Sequence, residues 1–302
     1  MSADLAILKT TLVIFGCVFG AAIVLTLACR GTGWGRDMTM AILVWAIIAG
    51  VFLLAPLAGP LVFPIVLLLI AYGAVREYFI LNGVYNVPAL IGAGLLLLGM
   101  AFGAAGGDLR LFRLLPLFSV LVFYPLHALT HSYENINRTA ALRVAGLVYW
   151  GWLPLHFLLL RRLAGGYGVV VLLGTMIALN DNTAFYVGRL LGKKSPKLAP
   201  RISPNKTWVG FAGGFAATVL VSLAFGYAVP HLSWLQRLGL GVVVGVAVPA
   251  GGLVESAMKR DLGVKDSGFL IPGHGGVMDR FDSFAFCAPI VYYLLRLGAE
   301  PG

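Results

Sequence analysis

Apolar residues fall along this chain in long blocks separated by short polar breaks. Nearly uninterrupted apolar runs cover residues 8–29, 39–55, 60–75, 88–105, 114–130, 144–160, 168–188, 208–230, 238–258 and 283–298. Each is about 16 to 23 residues long, close to what a helix needs to cross the hydrocarbon core of a bilayer. A backbone surrounded by lipid must satisfy its own hydrogen bonds, so runs of this length predict helices. The expected fold is therefore all-α: a polytopic transmembrane helical bundle of nine or ten spans. Pro56-Leu57-Ala58-Gly59-Pro60 separates the second and third runs by a turn-forming stretch and predicts a hairpin there. Residues 1–165 read as N-terminal transmembrane helices, and residues 166–302 as a second transmembrane region holding the polar motifs. No internal repeat stands out, and no soluble domain fits between the runs.

Composition agrees with this reading. Of 302 residues, 60% are hydrophobic and only 11% charged, against about a quarter charged in a soluble domain. The net charge of +10 raises nucleic acid as a partner, but the cations sit in short loops between apolar runs, where the positive-inside bias explains them. No nucleic-acid partner is expected. With ten spans, one side of the membrane receives Arg30, Arg36, Arg76, Arg138, Arg143, the cations between 189 and 206 and those between 259 and 282, which is 15 of the 22. That side is expected to be the cytoplasm of a multi-pass protein in the cell inner membrane. The two long polar loops are separated by two spans and so share a face. Cys17, Cys29 and Cys287 lack metal-ligand spacing and read as packing residues. The first run is long enough to span and has no basic segment before it, unlike a cleavable signal.

The first polar region runs Asn180-Asp181-Asn182-Thr183-Ala184-Phe185-Tyr186-Val187-Gly188-Arg189, then a basic loop, then Ser203-Pro204-Asn205-Lys206-Thr207-Trp208. Asp181 lies within an apolar helix, where an acid at the midplane costs at least about 2.5 kcal/mol. Function is the favoured reading, against a structural ion pair with a neighbouring span. Ser203, Asn205, Lys206 and Thr207 precede the next helix, whose free N–H groups with one lysine suit an anion such as phosphate. From the residue types alone, a Ser or Asn helix cap plus ordinary positive-inside lysines is the favoured explanation.

The second region, Ser256 to Asp282, is more specific. Gly252, Ser256, Lys259 and Gly263 share a helix face at spacings of three and four. Pro272-Gly273 and Gly275-Gly276 predict a tight turn whose backbone can approach a ligand closely. Asp279 and Asp282 then project together at the start of the last span. Paired carboxylates beside lysines, arginines and a glycine turn meet the needs of a nucleotide with Mg²⁺ or another divalent cation. Taken singly, Asp282 could be an N-cap, and Lys259 with Arg260 a snorkelling interfacial pair.

Ser256 to Asp282 resembles the signature of the phosphatidate cytidylyltransferases, S-x-x-K-R-x4-K-D-x-G-x3-P-G-H-G-G-x-x-D-R-x-D, at every fixed position. The earlier segment is similar to that family's pattern at Asp181, Ala184, Phe185, Gly188, Arg189, Ser203, Pro204, Lys206, Thr207 and Trp208. The resemblance covers roughly residues 178 to 290; the N-terminal half matches only as a series of apolar runs. It implies an attack by a phosphate oxygen of phosphatidic acid on the α-phosphorus of CTP, giving CDP-diacylglycerol and pyrophosphate. It also implies roles. Asp279, Lys259, Arg260 and Asp282 would be catalytic, and Asp279, Asp282 and Asp181 would hold the metal. Ser203, Asn205, Lys206, Thr207, Ser256, Lys265, Asp266, His274, Gly275, Gly276 and Arg280 would bind substrate. The partners implied are CTP, phosphatidic acid and membrane lipids, with a homodimer as the candidate assembly.

One departure bears on all of this. The family usually has G-D-L four residues before the signature serine, whereas this chain has Gly251-Gly252-Leu253. The missing carboxylate predicts weaker Mg²⁺ binding or another acid in its place. Glu255 is about 300° of helical advance from Gly252 and is assigned to a different face; Asp181, on another span, is the expected substitute. Two further readings follow: a non-catalytic or altered-substrate homologue that binds lipid or nucleotide, and a transporter using Asp181 as part of an ion path.

Overall fold

The computed structural model describes residues 2–28, 42, 46–131, 133–268 and 275–297. The fold is a bundle of α1 (Ser2–Ala28), α2 (46–54), α3 (Val62–Leu81), α4 (Val87–Gly106), α5 (Leu109–His131), α6 (Ile136–Gly146), α7 (His156–Arg162), α8 (Gly166–Leu191), α9 (Trp208–Ala224), α10 (Trp234–Asp261) and α11 (Met278–Leu297). The expected all-α membrane fold is observed. Seven helical stretches are long and apolar enough to cross a bilayer among the described residues, and they fall on the third to ninth apolar runs. Large apolar side chains such as Leu69, Leu98, Phe102 and Leu121 stand exposed along them, as lipid-facing positions should. Part of the second run lies outside the described residues. The Pro56–Pro60 stretch is a turn between α2 and α3, as expected.

Several helix starts follow from side-chain caps. Asn86 accepts from the Ala89 N–H at 2.7 Å to begin α4. Ser233 and Gln236 form a reciprocal capping box at α10. The sixth run is one span over Ile136–Arg162 in which α6 passes through a π-helical turn, Leu147–Trp152, before α7.

Two departures from the sequence pattern matter for the site. Charges end an apolar run without ending the helix: α3 continues through Arg76 and Glu77 to Leu81, so Arg76 belongs to a helix and not to a loop. Residues 189–206 also contain structure, because β1 (Lys197–Ala199) pairs antiparallel with β2 (Ser203–Thr207). This hairpin is a small exception within a helical protein.

Small residues bring α8, α9 and α10 together. A Cβ on Gly210 would lie 2.6 Å from the Ala184 carbonyl, and one on Gly214 would lie 2.8 Å from that of Asn180. Glycine four residues apart lets backbones approach this closely, a common device between membrane helices. Buried Asn180 fastens the contact, donating to Thr218 Oγ1 at 2.8 Å and to the Gly245 carbonyl at 3.4 Å. This packing holds Asp181 beside the start of α9.

Candidate functional site

The ends of α3, α8, α10 and the β1–β2 hairpin converge on the first turns of α9 and α11. Thr207 ends β2 and caps α9, its Oγ1 accepting from the Gly210 N–H at 3.1 Å. That cap leaves Thr207 buried and turns the preceding Lys206 inward. A Cβ on Gly252 would lie 2.7 Å from Lys206 Nζ and 3.1 Å from Asp282 Oδ2. The absence of a side chain at 252 therefore makes room for the lysine. Asp181 and Asp282 are half-buried and within electrostatic reach of one another, with Lys206 and Arg280 the cations that act on Asp181.

Beside this group lies a second one. Lys259 Nζ is 2.6 Å from Glu255 Oε1 and 2.6 Å from Asp279 Oδ1, with little of any of the three side chains exposed. The lysine donates to Asp279 Oδ1 and pairs directly with Glu255 Oε1, so one buried ammonium serves both carboxylates. The other oxygen of Asp279 accepts from the Ser267 N–H at 2.8 Å, Ser267 Oγ at 2.7 Å and the Gly276 N–H at 2.7 Å. Burial opposes ionisation of Asp279, but donation from Lys259, Gly276 and Ser267 outweighs it and holds the carboxyl down at about 2. Asp279 sits in the first turn of α11, before its apolar stretch.

Glu255 corrects the sequence reading. An advance of 300° is 60° short of a full turn, so Glu255 flanks Gly252 on the same face of α10 instead of lying on another. It is buried beside Lys259. Lys259 is part of the acid cluster and does not snorkel.

The remaining sequence candidates divide. Ser256 and Arg280 are half-buried on the elements that carry the cluster, while Gly275 and Gly276 form the turn into α11. Arg260 turns away: its Nε donates to the Ile202 carbonyl at 3.2 Å and its Nη1 to that of Val264 at 2.9 Å, tying α10 to the hairpin. That link also places the two polar loops at one end of the bundle. Asn205, Lys265 and Asp266 are exposed and Ser203 is half-buried. His274 lies outside the described residues.

Three residues were not singled out from sequence. Glu77, from α3, accepts from the N–H groups of Val277 and Met278. Ser267 is buried against Asp279. Tyr149, in the π-helical turn, has a buried hydroxyl with no partner among the described residues, within electrostatic reach of Asp282 and Glu255. An Arg-Glu pair closing an apolar run was the available signal for Glu77; nothing local marks Tyr149.

Comparison with known proteins bears on the same region. A sequence model described as the cytidylyltransferase family matches residues 39–298. The chain is 34% identical to the phosphatidate cytidylyltransferase of Bacillus subtilis (strain 168), over 86% of this chain and 98% of that protein. It is 35% identical to the Staphylococcus epidermidis (strain ATCC 35984) protein of the same name, over 81% of this chain and 94% of the relative. Identity rises to 42% with the Brucella abortus (strain 2308) phosphatidate cytidylyltransferase, across 52% of this chain and 58% of that protein.

Proposed function

The chain belongs to the cytidylyltransferase family, and from that premise we propose that it transfers the cytidylyl group of CTP to phosphatidic acid within a membrane. A phosphate oxygen of the lipid attacks the α-phosphorus of CTP; the bond from that phosphorus to the α,β-bridging oxygen breaks, and pyrophosphate leaves with the electron pair. The attacking oxygen is already anionic near neutral pH, so no separate general base is required. Catalysis then rests on positioning and on neutralising charge.

The observation that carries this reading is the mixed cluster at one end of the bundle. Four carboxylates, Asp181, Glu255, Asp279 and Asp282, meet Lys206, Lys259 and Arg280 beside a glycine turn. The cations supply positive charge for a triphosphate and a lipid phosphate. Asp181 and Asp282, half-buried and within electrostatic reach of each other, are two carboxylates that a divalent cation could share with substrate phosphates. Mg²⁺ commonly takes one or two carboxylates plus substrate phosphates. Asp181 and Asp282 would hold it, joined by Asp279 once Lys259 engages phosphate; when bound, the ion neutralises phosphate charge. Gly275, at φ +82°, turns the chain into α11 beside this cluster, and Ser256 offers a hydroxyl on the same face of α10 as Gly252. The lipid acceptor stays in the bilayer while CTP arrives from the cytoplasm of the cell, at the inner membrane.

The test is direct. Purified protein in detergent, supplied with CTP, Mg²⁺ and phosphatidic acid, should form CDP-diacylglycerol and pyrophosphate in equal amounts. No product from phosphatidic acid, with a folded protein, would overturn the proposal.

A further inference from the structure

Glu77 joins the N-terminal helices to the signature segment. Its carboxylate is buried at the C-terminal end of α3, remote in sequence from everything it touches. Oε1 accepts from the Val277 N–H at 2.9 Å and Oε2 from the Met278 N–H at 3.0 Å. These are among the N–H groups at a helix start that have no partner within the helix, and a carboxylate there also complements the helix dipole. Asp279 takes the neighbouring Gly276 N–H. The two carboxylates thus divide the first donors of α11 between them, one from inside the helix and one from α3.

Two glycines of the signature segment are explained by this approach. A Cβ on Gly276 would lie 2.4 Å from Glu77 Oε2 and 2.5 Å from Ser267 Oγ. One on Gly268 would lie 3.0 Å from Glu77 Oε1 and 3.4 Å from Gly276 Cα. Any side chain at 276 would push the carboxylate off the turn. Ser267 Oγ lies 3.4 Å from Glu77 Oε2 but 2.7 Å from Asp279 Oδ2. Its single proton therefore goes to Asp279, and Glu77 acts as the wall that directs it there.

We propose that Glu77 is a positioning residue for this site: by gripping the Val277 and Met278 N–H groups it fixes the start of α11, and so fixes where Asp279 meets Lys259. The inference rests on the transferase reading for its catalytic consequence, while the grip itself can be measured independently of it. Glu77→Gln is nearly isosteric but replaces one acceptor by an NH₂ group facing an N–H donor, which must shift the turn. Misplacing a reacting geometry by about 1 Å can cost about a hundredfold in rate. The experiment compares wild type, Glu77→Gln and Gly268→Ala in detergent by steady-state kinetics and by amide hydrogen exchange over residues 275–281. Glu77→Gln should lower kcat by about a hundredfold with KM for CTP changed less than about threefold, and should speed exchange at 277 and 278. Gly268→Ala, which nudges the same carboxylate and leaves Glu77 in place, should give a smaller loss of kcat in the same direction. Wild-type kcat in the folded Glu77→Gln protein, or unchanged exchange at 277 and 278, would overturn the proposal. Should Glu77→Gln fail to fold, Gly268→Ala decides by the same two readouts. A wild type that forms no product would defeat the transferase reading alone, and exchange at 277 and 278 would then settle whether Glu77 positions α11.

Discussion

Lys206 carries its ammonium to 2.7 Å from the point where a Cβ on Gly252 would sit, with Asp282 Oδ2 3.1 Å from the same point. A cation thus stands beside the empty position 252, near acids contributed by α8 and α11. The electrostatic reason is plain: Asp181 and Asp282, half-buried within reach of each other, need positive charge nearby. Lys206 supplies part of it, and Gly252 leaves the space to do so.

Asp279 is expected to be indispensable to transfer. It accepts from Lys259, Gly276 and Ser267, and its carboxylate charge keeps that lysine in the site. Asp279→Asn should lower turnover at least about a hundredfold, because charge placed for the transition state is lost. The variant should still insert and purify. Turnover close to wild type would remove Asp279 from the catalytic group.

Lys259 and Arg260 are adjacent in sequence but should behave differently. Removing Lys259 leaves Glu255 and Asp279 buried without their cation, and breaking a buried pair in this way costs about 3 to 5 kcal/mol. Lys259→Ala should therefore lose both activity and several degrees of thermal stability in detergent. Arg260 is exposed and holds only carbonyls, so Arg260→Ala should cost about 1 kcal/mol or less. Equal melting shifts for the two variants would contradict this assignment.

The two polar loops should react with impermeant reagents from the same side. Ser195 and Ser267 are poor labelling positions, since Ser195 Oγ accepts from the Val209 N–H and Ser267 is buried on Asp279. Lys194 and Lys265 are exposed. Cysteines at 194 and 265, in a background with Cys17, Cys29 and Cys287 replaced by serine, should be labelled from the cytoplasmic face of sealed vesicles. Labelling from opposite faces would separate the loops and dissolve the site.

Local pattern revealed most of the bundle, because lipid forces each span to be a long apolar helix. It also revealed the residues whose spacing lies on one helix, such as Gly252, Ser256 and Lys259. What it missed is relational. Glu77 looked like the polar end of a run because its partners are backbone N–H groups two hundred residues away. Glu255 was misplaced because a helical advance near a full turn returns to the starting face. Thr207 carries the residue type of a phosphate ligand, but of the two readings open to its segment the hydroxyl follows the other, the cap of α9. The role of Lys206 depends on an empty position on another helix, which no window around Lys206 contains.

Gly252→Asp tests whether the lack of a carboxylate at 252 limits the enzyme. The new side chain would enter between Lys206 Nζ and Asp282 Oδ2. The lysine is flexible and can retreat, so the mutation should be tolerated sterically. Two electrostatic effects then compete. A carboxylate at 252 adds a metal ligand beside Asp282, which lowers the Mg²⁺ concentration needed for half-maximal rate. It also adds a third acid to Asp181 and Asp282, and like charges repel. Lys206 offsets the second effect, because its ammonium lies nearest the new carboxylate and can pair with it. The expected outcome of a Mg²⁺ titration at fixed CTP is therefore a higher maximal rate for Gly252→Asp and half-saturation at lower Mg²⁺. Adding Lys206→Met should reverse the gain, since the extra acid then has no partner. A Gly252→Asp protein that is folded but needs as much Mg²⁺ as wild type would mean that Asp181 and Asp282 already hold the ion fully and that Gly252 marks no deficit.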